Sequence, residues 1–243
     1  MPTTAAAKPS ARAILDEIKP LGRESYKKVL LNHGIREPVY GVKIEELKKI
    51  QKRVKKDYRL ALDLYDTGVY DAMYLAGLIA DEAKMTRKDL QRWLDKATSP
   101  ALCDYTVPWV AAESAHGREL AIDWIESKKE AVAAAGWNTL SGLVALKADD
   151  ELDLKEIKRL IQRVGKTIHD EPDRVRYAMN GFLIAVGSYV ASLTDEAIAA
   201  ARKIGEVSVD MGETACKVPD AAAYIDKTKK RGAIGKKRKT VRC

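Results

Sequence analysis

Apolar positions recur along this chain every three or four residues, and short polar or Gly/Pro breaks separate one such run from the next. Ser10 predicts the cap of a first helix that Pro20 ends, and a second runs from about Arg23 to His33 and stops at Gly34. Ile44, Leu47, Ile50 and Val54 make one clean stripe. Glu45 and Glu46 precede the bases on that helix, so acids lie at the positive end of its dipole and bases at the negative end. Arg59–Thr67 predicts a further helix closed by Gly68, and Thr86–Ala97 an amphipathic one capped by Thr86. Between them, Tyr70–Ala80 is apolar almost all round, which predicts burial between neighbours. Ser99-Pro100 is a strong start for a helix to about Ala115, kinked at Pro108. Gly117 and Gly136 are expected to punctuate the next two helices. Stripes follow at Leu154, Ile157, Leu160, Ile161 and Val164, and at Val175, Ala178, Met179, Phe182, Val186 and Val190. Thr194–Val207 is the last core helix, and a shorter one begins after Asp220.

Eleven or twelve helices of about 10–18 residues, joined by loops of about 2–6, make an all-α chain. Neighbours joined so closely must pack antiparallel, and stacked antiparallel pairs build a solenoid with one concave face. A globular helical bundle stays open on the pattern alone. The expected organisation is a flexible N-terminal segment over 1–10, a helical repeat domain over 11–220 and a basic tail over 221–243.

Composition agrees with packed helices. The chain is 46% hydrophobic with a single Phe, and Val and Ile do not fall in alternating runs. Cys103, Cys216 and Cys243 are too few and too scattered for a disulfide framework, and fit a reducing compartment. With no CxxC or HxxxH pair, no metal site is expected. His33, His116 and His169 read as capping or surface residues. No segment has the length of an apolar membrane span, and the opening MPTTAAAKPS is too short and polar for a signal peptide.

Charge changes the picture most. From Ala221 to Cys243 there are nine Lys or Arg and one acid, a surplus of eight equal to the +8 of the whole chain. A neutral body with a cationic end points to a polyanion as partner, because Lys and Arg displace counterions condensed on phosphates. Lys236, Lys237, Arg238 and Lys239 are the foremost candidates. Lys48, Lys52, Arg53, Lys55 and Lys56 on the third helix, with Arg174 and Arg176, are further ones.

The stretch from Arg36 to Asp81 contains an aromatic-Gly-Val (Tyr40-Gly41-Val42), then LALDLYDTGVYDA, then LAGLIAD. These three strings in this order resemble the AlkD-type DNA alkylation repair family, and the likeness extends from about Ile44 to Val190. The resemblance implies a right-handed, C-shaped solenoid of HEAT-like helix pairs gripping duplex DNA on its concave side. It further implies hydrolysis of the N-glycosidic bond of N3- or N7-alkylated purines with no metal or organic cofactor. An alkylated purine is already a cationic leaving group, so a fixed carboxylate that stabilises the oxocarbenium charge on the sugar supplies most of the catalysis.

By that resemblance the carboxylate is Asp104, in SPALCDYTVPW. A Trp four residues earlier would pack on the deoxyribose; this chain has Pro100. A Trp and an Arg three residues apart are represented by Trp137 and Leu140, and a Gly-Trp by Gly181-Phe182. Trp137 and Phe182 are therefore candidate substrate-binding residues, with Tyr105 a possible replacement for the lost ring. The changes at Pro100 and Leu140 weigh against catalysis more than against DNA binding, since a missing positioning contact can cost about a hundredfold. Trp93, Trp109 and Trp124 read as packing residues, and Cys103 as a buried structural thiol. The reading is a monomeric, cytoplasmic DNA repair protein bound to double-stranded DNA, nucleoid-associated when bound, or nuclear in a eukaryotic source. The alternatives are a non-catalytic relative that binds bent, branched or damaged DNA, and a protein-binding scaffold.

Overall fold

The computed structural model describes residues 9–210, 212 and 216–243. The expected flexible segment 1–10 lies outside it except for its last two residues. Among the described residues there are thirteen α-helices and no strands. The chain divides into two compact units, Met1–Leu102 and Cys103–Cys243.

The first unit holds α1 (Ala11–Ile18), α2 (Glu24–Asn32), α3 (Ile44–Val54), α4 (Tyr58–Tyr65), α5 (Tyr70–Ile79) and α6 (Arg87–Lys96). Local chemistry sets the boundaries. Ser10, Asp57 and Thr86 each accept a bond from a first-turn amide, and Thr86 with Asp89 forms a reciprocal capping box. Every residue of α5 is buried, as its almost wholly apolar surface requires, Asp71 included. Helices two apart run parallel: Tyr58 bonds Asp89 at the start of α4 and α6, and Asp66 meets Lys96 at their ends. Between these contacts Tyr65 stacks on Trp93, with centroids 4.2 Å apart, and its hydroxyl donates to the Trp93 carbonyl.

Two of the three family strings turn out to be one structural device. Asp71, in the second string, is 1% exposed. It accepts from the amides of Tyr40 (2.6 Å) and Val42 (2.8 Å), in the first. Gly41 between them has φ +77°, and a β-carbon there would stand 2.7 Å from the Arg23 carbonyl. The carboxylate thus fixes the entry of the chain into α3.

The second unit holds α7 (Val107–Glu113), α8 (Gly117–Trp124), α9 (Glu130–Leu146), α10 (Leu154–Thr167), α11 (Asp173–Tyr189), α12 (Thr194–Ile204) and α13 (Ala221–Lys230). Arg118 bonds Glu156 at the starts of α8 and α10, and Arg163 reaches the Ile125 carbonyl at their ends. Lys158 pairs with Glu196, and the His169 ring meets the Ile204 carbonyl, setting α12 parallel to α10. In the other layer, the Arg174 amide bonds Glu130, Trp137 packs on Phe182, and Asn180 bonds the Pro219 carbonyl. So α9, α11 and α13 also run parallel, and α8–α9, α10–α11 and α12–α13 are stacked hairpins. Most of these layer contacts join residues 38–45 apart, the step of a two-helix repeat.

Three expectations change. Gly136 lies inside α9, where a β-carbon would stand 2.7 Å from the Ile125 amide nitrogen; it allows close helix approach and does not break the helix. The kink expected at Pro108 is a π-helical turn over Leu102–Thr106, one step ahead of the proline that cannot donate to the preceding turn. The stretch after Asp220 is α13, packed on α11 through Ile225, so the repeat layer extends beyond the expected boundary at 220.

Candidate functional site

Asp104 sits on that π-helical turn, a distortion that often re-aims a side chain at a functional position. Its carboxylate keeps 20% exposure and accepts a 2.7 Å bond from the Arg174 guanidinium, at the start of α11. Burial pushes the Asp104 carboxyl upward; Arg174 opposes that push and Glu130 adds to it, and the net shift is upward. Burial lowers the Arg174 value, but Asp104 and then Cys103 outweigh it, so the guanidinium holds its proton more tightly than usual. Burial also drives the Cys103 thiol up, against Arg174, which fits an unreactive sulfur.

Tyr105 is the most exposed ring here, at 46%, tilted 6.1 Å from the half-buried Trp109. Burial, with Tyr177, Asp104 and Cys216 nearby, pushes the phenol up to about 12, so it keeps its proton at neutral pH and can donate a hydrogen bond. Tyr177, Glu130 and the Asp104–Arg174 contact escaped the sequence reading. No local pattern marks them, because the paired residues are 70 positions apart.

The other two candidate substrate-binding aromatics are elsewhere. Trp137 and Phe182 are both 0% exposed, with centroids 5.3 Å apart in the core of the second unit. The Arg163 guanidinium covers the free face of Trp137 at 5.7 Å. A sugar could meet these rings only if the helix layers opened. Leu140 is 5% exposed and, with Leu143, Val144, Leu160 and Phe182, lines an open pocket of 220 Å³ that the charged Arg118, Lys147, Glu151, Asp153 and Glu156 also line. Pro100 lies against Gly34 in the first unit.

The expected phosphate contacts divide by partner. Arg53 forms two bonds to Glu17, Lys56 pairs with Glu82, and Arg176 pairs with Asp173. Lys52 and Lys55 are exposed, Lys48 is half-buried, and none of the three carries an ion pair among the described residues. Lys236, Arg238 and Lys239 are exposed, whereas Lys237 turns inward to Asp149 at 2.8 Å. Among the described residues no three His, Cys, Asp or Glu side chains converge to hold a metal ion. No single helix there is long and apolar enough to cross a membrane.

The family model for DNA alkylation repair enzymes matches residues 14–225. The chain belongs to the DNA alkylation repair enzyme family. Within it, an uncharacterized protein of Listeria innocua is 34% identical over 221 residues, covering 88% of this chain and 95% of its own. One from Listeria monocytogenes is 33% identical over 220 residues with the same coverage. A solved structure from a family related to the HEAT-like repeat DNA glycosylases, with affinity for branched DNA structures, matches with a TM-score of 0.89 and 36% identity. That match covers 97% of this chain and 100% of the other. The helix pairs described above are therefore the HEAT-like repeats of the alkylation repair fold.

Proposed function

We propose that this protein binds DNA, prefers branched over linear duplex, and releases no base. The observation that carries this reading is the state of Asp104. An oxocarbenium ion needs an uncompensated negative charge beside it, and a carboxylate already 2.7 Å from a guanidinium offers little net field. The positions expected to contact the sugar point the same way: Pro100 brings no aromatic ring, and Trp137 and Phe182 are buried in the core of the second unit. Basic side chains without ion pairs, Lys52 and Lys55 in one unit and Lys236, Arg238 and Lys239 in the other, supply contacts to phosphates. The structural neighbour's affinity for branched DNA supports the preferred substrate. The protein acts as a monomer, in the cytoplasm or on the nucleoid.

Base excision is the second reading, and one observation favours it: Asp104 keeps a fifth of its surface on a π-helical turn beside the exposed Tyr105. One experiment separates the two. Purified protein is incubated with methylated duplex and scored for abasic sites, and in parallel titrated against a four-way junction and the matching linear duplex. No abasic sites and tighter binding to the junction are expected. Abasic sites that vanish in Asp104→Asn would replace the first reading with the second, and equal affinity for both DNAs would remove the branch preference.

A further inference from the structure

The cationic C-terminus is built into the fold. After α13 the chain returns across the second unit, and its backbone caps the ends of two helices there. The Gly235 amide donates to the Ser188 carbonyl at the end of α11 (2.9 Å), and the Arg238 amide to the Ala145 carbonyl at the end of α9 (2.8 Å). Lys237 Nζ donates to the Val144 carbonyl (2.9 Å) and pairs with Asp149 (2.8 Å). These carbonyls belong to last turns and have no partner within their own helix, so the segment satisfies them and places positive charge at the negative dipole end.

A second clamp follows. Arg242 Nε lies 2.8 Å from Glu113 Oε2 at the end of α7, and the two side chains are 6% and 13% exposed. The Val241 amide and the Thr240 hydroxyl donate to the other oxygen of the same carboxylate. An ion pair this buried is costly to form unless the remaining acceptor sites are filled, and these two donors fill Glu113 Oε1. Lys236, Arg238 and Lys239 are left exposed between the anchors, and none of them pairs with an acid among the described residues.

We infer that residues 233–243 form a fixed strap whose inward side chains, Lys237 and Arg242, hold Lys236, Arg238 and Lys239 as a preformed ridge for the phosphates of a nucleic acid backbone. This rests on the reading that the protein binds DNA, and adds that the contact is ordered before the DNA arrives. A free arm would lose conformational freedom on binding, and a strap already held loses less. Because the ridge carries charge and no base-reading geometry, it contributes equally to linear and branched DNA.

The test uses the full chain in three forms: wild type, Lys236→Gln/Arg238→Gln/Lys239→Gln, and Glu113→Gln/Arg242→Met, which removes the clamp without leaving a buried charge unpaired. Binding to a labelled duplex is measured across a salt series. The ridge variant is expected to lose about 2–3 units from the slope of log K against log salt. The clamp variant is expected to keep the wild-type slope within about one unit while binding roughly tenfold more weakly. Its Gly235 and Arg238 amides should also exchange hydrogen faster. An unchanged slope in the ridge variant removes the phosphate contact, and wild-type affinity in a clamp variant with fast-exchanging amides removes the preordering. No salt-dependent binding by wild type would instead overturn the underlying DNA-binding reading.

Discussion

Asp104 and Arg174, 70 positions apart in sequence, share a 2.7 Å hydrogen bond that makes each one half of an ion pair. Both side chains are mostly covered, at 20% and 28% exposure, so each depends on the other for compensation. Removing one partner of a buried pair costs about 3–5 kcal/mol, and residual solvent contact reduces that here to about 1–3 kcal/mol. Arg174→Met, which strands the Asp104 carboxylate, should lower stability by that amount in urea melts, and Asp104→Asn, which removes a carboxylate already disfavoured by burial, by less. The double variant should lose less than the sum, with a coupling of about 1 kcal/mol or more. Additive losses would mean the pair does not operate in solution.

Asp71→Asn should be among the most harmful single-atom changes in the first unit. The carboxylate accepts from Tyr40 and Val42 while 1% exposed, and an amide would aim one N–H₂ at those donors. A loss of about 2–3 kcal/mol is expected. The melting midpoint of the variant gives the answer; a shift within error would show that the loop before α3 does not need its anchor.

Two glycines offer a matched comparison. Gly136→Ala places a β-carbon 2.7 Å from the backbone nitrogen of Ile125, which cannot rotate away, so about 1–3 kcal/mol should be lost. Gly165→Ala meets nothing within 4 Å inside α10 and should gain up to about 1 kcal/mol from helix propensity. Equal effects on thermal stability would contradict the close approach of α8 and α9.

The acid limb of stability should depend on Asp89. Burial raises its carboxyl, but the Thr86 hydroxyl and amide, the Tyr58 hydroxyl and Arg92 outweigh that, and the folded value lies below the ordinary one. A depressed carboxylate stabilises the fold above its unfolded pKa, near 4, and that stabilisation disappears as pH falls through the folded value. Asp104 and Asp71 are raised by burial and act with the opposite sign. Asp89→Asn should therefore lower stability at pH 7 and flatten its decline below about pH 4, measured by denaturant melts across pH. A parallel decline in both proteins would exclude Asp89 as a source.

Much of this molecule is legible before folding. Helical spacing, the caps at Ser10 and Thr86 and the apolar run of α5 are local, because a helix closes its bonds within a few residues. The family strings around Tyr40 and Asp71 are similarly readable, and Asp104 could be picked out by likeness. What tertiary structure decided is the company each residue keeps. Gly136 and Gly117 read alike as breaks, but the first lies inside a helix, because only the neighbouring helix determines whether a missing β-carbon is needed. Trp137 and Phe182 read alike as substrate-binding candidates, and packing put both in the core. The tail fixed the net charge as sequence alone, yet which of its cations face solvent depended on carbonyls at the ends of α9 and α11 that lie far away along the chain. Periodicity is a property of neighbours in sequence, whereas charge compensation and burial are properties of neighbours in space.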